Sequence, residues 1–129
     1  MAGATHFGQE LIAQVKAETA KWINSFNAGN ADGCANCYTE NAIMWPQPMD
    51  KVQGRKAIKD FWKFLIDAGF KQVEYLNCKF LPLSKDCVEL YSTWRMNNAH
   101  GVIHNETWQR QADGGFKLTY DHFEIFEVR

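Results

Sequence analysis

The sequence predicts an α+β fold: three helices in the first half of the chain, then an antiparallel sheet that they cover on one face. Two observations carry this. Apolar residues recur at i, i+3 and i+4 as far as Ala68, and from Phe70 onward they alternate in runs separated by turn residues. A third observation is the presence of five tryptophans and nine phenylalanines in 129 residues, which makes much of the volume under the sheet aromatic. Most of these rings are expected to be plain core, but the mixture is also that of many small-molecule pockets. The length suits one domain, 1–129, able to bury roughly two-thirds of the surface that the unfolded chain exposes.

Over residues 8–27, Leu11, Ile12, Val15, Trp22, Ile23 and Phe26 fall at helical spacing, with Glu10, Lys16, Glu18 and Lys21 on other faces, giving a long amphipathic first helix. Gly29 suits the left-handed position that closes it, and Asn30 or Asp32 is placed to cap a short second helix reaching Tyr38. Residues 42–45 read as a brief strand halted by Pro46 and Pro48. Residues 55–68 place Ala57, Ile58, Phe61, Trp62, Leu65 and Ile66 on one stripe, and Gly69 stops this third helix. Residues 73–76 and 78–81 are strand-like. Residues 88–96 alternate, with Val88, Leu90, Ser92, Trp94 and Met96 on one face, after a turn at 82–86. Residues 97–101 form another turn, and 104–126 close the chain as a hairpin around Ala112 to Gly115. A sheet of this kind must bend around its helical cover.

Fourteen basic and fifteen acidic side chains give a formal charge of −1, so neither nucleic acid nor an anionic membrane is an expected partner. No window approaches the roughly 18 consecutive apolar residues of a spanning helix, and the first residues lack a basic, apolar leader, so a soluble, cytoplasmic protein is expected. Cys34 and Cys37 have C-x-x-C spacing without a matching second pair. With Cys78 and Cys87 they read as small core residues of a reducing compartment.

The closing hairpin carries the candidate chemistry. If Gln111 and Phe116 flank its turn, Glu106 lies opposite His122, Trp108 opposite Tyr120, and His104 opposite Glu124, all on one face. Asn105, Thr107, Gln109, Thr119, Asp121, Phe123 and Ile125 occupy the other. A carboxylate opposite an imidazole fixes its tautomer and raises its proton affinity, which suits proton exchange near neutral pH. The expected catalytic residues are therefore His122, Glu106, Tyr120 and His104. The expected ligand-binding walls are Trp22, Phe26, Met44, Trp45, Phe61, Trp62, Leu90, Trp94 and Trp108. If the hairpin presents its other face, Asp121 and Phe123 replace His122 and Tyr120. Two histidines and a carboxylate could also ligate a metal, but their spacing has no metal signature, and none is expected. His6 and His100 read as solvated.

The run from Trp22 through Asn-Ala-Gly-Asn-Ala-Asp-Gly, the segment Tyr38-Thr-Glu-Asn-Ala, the loop Val52-Gln-Gly-Arg-Lys-Ala-Ile and Trp108 with Asp113-Gly-Gly-Phe-Lys resemble the nuclear transport factor 2-like superfamily. The similarity is to its SnoaL-like and ketosteroid-isomerase-like branch and covers almost the whole chain. It implies a cone-shaped domain whose curved antiparallel sheet wraps the long first helix around a pocket, and a homodimer formed through the sheet. Members include isomerases, polyketide cyclases, dehydratases, epoxide hydrolases and inert association modules, so the fold leaves function open.

The tyrosine, base and acid of the ketosteroid isomerases map onto Trp22, Pro46 and Glu106, which leaves the base missing and makes that reaction unexpected. The Asp-Arg-Asp arrangement of limonene-type epoxide hydrolases is absent, Arg95 being the only arginine of its strand. The kinase-association branch implies Phe116 with His122, and the cyclases imply a histidine and an aspartate, here His122 and Asp121. Because neighbouring strand residues face opposite ways, the reading takes His122 as the inward one. Two functions follow from different classes. One is a cofactor-independent isomerase, cyclase or dehydratase for a small apolar or aromatic molecule. The other is a binding or association module using the same pocket.

Overall fold

The computed structural model describes residues 2–128, with side chains from Gly8 onward, so His6 lies outside the described side chains. Helix α1 spans Ala2–Asn27 and buries Leu11, Val15, Thr19, Trp22 and Phe26, the stripe that a 3.6-residue period selects. Thr19 satisfies its hydroxyl on the Val15 carbonyl at 2.8 Å. Gly29, at φ +75°, turns the chain out of α1, and Asn30 caps α2 (Ala31–Ala35) by accepting from the Gly33 amide at 2.9 Å.

Two local expectations change here. Tyr38 does not end α2 but opens strand β1 (Tyr38–Gln47), where its fully buried ring is held by Asp121 across the sheet. Nor does Pro46 halt β1. The edge strand β2 (Val52–Gln53) pairs only with Ile43 and Met44, so one side of β1 is unpaired at Pro46, where a missing N–H can be tolerated. Helix α3 (Arg55–Asp67) buries Ile58, Trp62 and Leu65, and Gly69 at φ +95° follows it.

The remaining strands are β3 (Glu74–Tyr75), β4 (Lys79–Ser84), β5 (Cys87–Arg95), β6 (Ala99–Arg110) and β7 (Phe116–Val128). They form a curved, seven-stranded sheet in the order β2-β1-β7-β6-β5-β3, with β4 also on β5. All its ladders are antiparallel except one: β1 runs parallel to β7, which the long crossover between them makes possible. The sheet is therefore mixed. Its concave face closes on the helices over a core that includes Val88, Leu90, Trp108, Phe116 and Leu118.

The β6–β7 register decides which side chains meet under the helices. Near the turn Trp108 pairs with Leu118; farther along Thr107 pairs with Tyr120, Glu106 with Asp121, Asn105 with His122 and Ile103 with Phe123. One extra residue, Thr119, is thus inserted on β7, and another, His104, on β6. A one-residue slip sends the whole downstream side-chain set to the opposite face. Phe116 and Leu118 point into the core, and beyond the bulge Asp121 and Phe123 do so as well. The expected facing pairs are all displaced: Trp108–Tyr120 by the register that the turn sets, which puts Trp108 against Leu118, Glu106–His122 by that register together with the bulge at Thr119, and His104–Glu124 because His104 is itself the bulged residue.

Candidate functional site

Between α1, α3 and the concave sheet face lies a small cavity. Trp22 and Trp62 contribute to it from the helices, and Val73 and Tyr75 from the β3 segment. Trp94 and Met96 close it at the end of β5, while Ile103, Glu106, Asp121 and Phe123 form its sheet wall. The rings brace one another: Trp22 meets Trp62 edge-on at 4.9 Å, and Trp62 stacks on Phe123 at 5.7 Å. Gly101 permits this arrangement, because a Cβ there would lie 1.9 Å from the Glu124 carbonyl oxygen and 2.7 Å from the Trp94 ring. The cavity measures about 20 Å³, room for about one water.

Two carboxyl groups face this apolar space. Glu106, 3% exposed, accepts from the Trp108 indole N–H at 2.9 Å and from the Tyr75 hydroxyl at 2.8 Å. Asp121, 4% exposed, accepts from the Tyr38 hydroxyl at 2.6 Å, which in turn accepts from the Trp62 indole N–H at 3.3 Å. Burial pushes both carboxyl groups above their ordinary range, and the charge of Asp121 raises Glu106 further. Burial also raises Tyr38 and Tyr75 well above the phenol value, so both are neutral donors. Among the described residues, the indole N–H groups of Trp22 and Trp94 are buried without a partner. A buried donor left unpaired is costly and therefore marks a place for an acceptor.

The predicted site residues divide between the two sides of the sheet. Glu106, Trp22, Trp62 and Trp94 line the cavity. Phe26, Met44, Leu90 and Trp108 are buried in the surrounding core, and Phe61 packs half-buried against Trp62 at 5.1 Å. His122, Tyr120, His104 and Trp45 lie on the outer face, so the expected Glu106–His122 pair is not made. His122 instead stacks on Trp45 at 4.4 Å, bonds the Gln47 side chain and stands 4.6 Å from the His104 ring, while His104 meets Glu124 at 2.8 Å. Partial burial, and next the His104 charge, lower the proton affinity of His122, the reverse of the expected effect.

Asp121 was visible in the sequence only as the alternative to His122. Tyr38 and Tyr75 were not among the expected site residues, since one sat at an expected helix end and the other in the strand-like run 73–76. The thiols are all free. Burial pushes Cys34 up to about 12 and Cys37 up to about 11, whereas Cys78 is exposed rather than core.

Structures similar to this one share its architecture at low sequence identity. A candidate scytalone dehydratase from Novosphingobium aromaticivorans superposes with a TM-score of 0.80 at 14% identity, covering 97% of this chain and 90% of its own. A ketosteroid isomerase-like protein from Erwinia carotovora gives 0.75 at 12%, covering 89% and 95%. An NTF2-like protein of unknown function from Pseudomonas putida gives 0.76 at 11%, covering 87% and 84%. No curated protein matches the chain. A model of the SnoaL-like domain matches residues 19–129, and the chain belongs to the SnoaL-like domain family.

Proposed function

We propose that the protein is a cofactor-independent acid–base catalyst, isomerase or dehydratase in type, acting on a small uncharged ring compound. The observation that carries this is one apolar cavity lined by two buried carboxyl residues and by two tryptophans whose buried indole N–H groups have no partner among the described residues. The catalytic pair is Glu106 with Asp121, in place of Glu106 with His122. Two carboxyl groups in one desolvated site do not both ionise readily, so one proton is left between them near neutral pH. The ionised member takes a proton from a carbon beside a carbonyl, and the enolate oxygen accepts from the Trp22 and Trp94 N–H groups. The protonated member then returns a proton to another carbon, which is isomerisation, or to a departing hydroxyl, which releases water. The names of the similar dehydratase and isomerase-like structures favour the same two reaction types.

A thermal-shift screen of steroids, terpenoids, phenols and polyketide-like compounds tests the binding step. A ligand at a hundredfold excess over Kd stabilises the folded state by roughly 2.7 kcal/mol. Turnover of any hit should vanish in Asp121→Asn while binding persists. The narrowness of the cavity, about 20 Å³, favours a second reading, an association module whose tryptophans act as filling. Stabilisation by no ring compound, together with no turnover, would select it.

We also propose a homodimer through the outer sheet face, with Ile43, Trp45, Tyr120 and His122, all half-buried, at its centre. Phe123, which the plain alternation puts on the face away from the expected site and so available to such an interface, belongs to the cavity instead. Sedimentation at 14.9 kDa at tens of micromolar would exclude the dimer.

A further inference from the structure

A cavity of about 20 Å³ does not admit a ring, since benzene needs on the order of 150 Å³. If the proposed function holds, one wall must yield, and the walls are unequally held. Trp22 and Trp62 sit on helices and are locked in an aromatic cluster. Ile103, Glu106, Asp121 and Phe123 belong to long strands paired on both sides. Val73 and Tyr75 belong to residues 70–76, whose sheet pairing among the described residues is limited to Glu74 with Arg95 and Tyr75 with Trp94.

Side chains make several of the attachments of this segment, beside backbone bonds from the Phe70 amide to the Leu65 carbonyl at 3.1 Å and from the Asn97 amide to the Lys71 carbonyl at 3.0 Å. Asn27 grips Val73 at both ends, accepting from its amide at 2.8 Å and donating to its carbonyl at 3.2 Å. Asn97 accepts from the Lys71 amide at 3.0 Å and donates to the Gly69 carbonyl at 3.0 Å. The Leu76 amide bonds the Thr93 carbonyl at 2.9 Å. The Glu74–Arg95 ion pair at 3.2 Å is exposed and holds little. On the inner side, among the described residues, the polar link is the Tyr75 hydroxyl on Glu106. Gly69 at φ +95° and Gln72 at φ +61° bracket the first half of the segment; of the two only Gln72 carries a side chain in the left-handed region.

We infer that residues 70–76 form a strap over the cavity, latched by Tyr75 on Glu106 and by Asn27 on Val73, and that it swings out as a unit to admit a ligand. Tyr75 is then a positioning residue. With the strap closed its hydroxyl occupies Glu106 Oε2; with the strap open that oxygen faces the incoming molecule. Entry of the ligand and release of Glu106 are the same event.

Hydrogen exchange on the intact protein, resolved to single amides, tests this without any reaction being known. Val73 and Leu76 should exchange through a local opening, at least about tenfold faster than Trp108 and Asp121 and at rates insensitive to low urea. Asn27→Ala and Tyr75→Phe should each raise those two rates several-fold and leave Trp108 unchanged. Saturating 2-naphthol, as the ring probe, should slow them. If Val73 and Leu76 exchange only with the global unfolding event and at its urea dependence, the strap does not open and the inference is overturned. If they open locally but 2-naphthol and the screened ring compounds neither bind nor slow them, the strap stands and the ring-substrate reading falls.

Discussion

Replacing Glu106 by glutamine keeps the shape of the side chain and an acceptor oxygen for Trp108 or Tyr75, but removes the ionisation that burial opposes. In the folded protein both Glu106 and Asp121 are held above the ordinary carboxylate range. Folding therefore takes up protons at any pH between the unfolded-chain value, about 4, and the raised folded one. The stability contributed by each group is fully present below the unfolded value and is lost as pH rises through the folded value. One proton taken up on folding gives a slope of about 1.4 kcal/mol per pH unit. Wild type, with two such groups, falls by up to twice that slope, whereas E106Q keeps only the share of Asp121. Urea melts at pH 5, 6 and 7 should show the variant gaining on wild type by about 1.4 kcal/mol per unit while Glu106 titrates. In a chain of this length that is about 4–8 °C in Tm. A difference that stays flat from pH 5 to 7 would mean that Glu106 ionises as it does in the unfolded chain, and the argument from burial would be refuted.

Tyr38→Phe strips Asp121 of its hydroxyl partner and Trp62 of its acceptor, and should cost about 1–3 kcal/mol in denaturant melts. Gly101→Ala drives a methyl into the Glu124 carbonyl and the Trp94 ring; a loss of about 1–3 kcal/mol and a weakened near-ultraviolet tryptophan signal are expected, and an unchanged spectrum would contradict the packing described. His122→Ala should leave the affinity of any cavity ligand within about twofold, since the imidazole sits on the outer face, where the change removes its Trp45 stack, its Gln47 bond and its contact with the His104 ring. A large loss of ligand affinity in that variant would return the histidine to the pocket.

The helices and most of the strands were legible because each follows one period throughout. Leu11, Val15, Trp22 and Phe26 keep 3.6, and Val88, Leu90, Ser92 and Trp94 keep 2.0, so burial alone orders them. The site was half legible. Glu106 and three of the tryptophans are where the pattern puts them, because Glu106 lies between the hairpin turn and the bulge at His104, Trp94 follows the unbroken alternation of β5, and Trp22 and Trp62 belong to helices. His122, Tyr120 and His104 are not, because bulges at Thr119 and His104 reverse the alternation, and nothing in Leu118-Thr-Tyr-Asp or Ile103-His-Asn marks the extra residue. The burial of Asp121 gives the physical reason for one choice of face: with Tyr38 beneath it the carboxyl is satisfied inside, whereas the outer face offers Trp45 as a stacking partner for an imidazole. Tyr38 and Tyr75 act through long-range contacts, 83 and 31 residues away in sequence, which local periodicity does not encode.

The central claim is that Glu106 and Asp121 face one apolar cavity and hold a proton there near neutrality. A carbon-13 titration of the side-chain carboxyl resonances, assigned by E106Q and Asp121→Asn, tests it most directly. Both signals should remain at the protonated position at pH 5 and move only at higher pH, the Glu106 step shifting downward when Asp121 is made neutral. Two signals already at the ionised position at pH 5, each indifferent to the other's substitution, would contradict it.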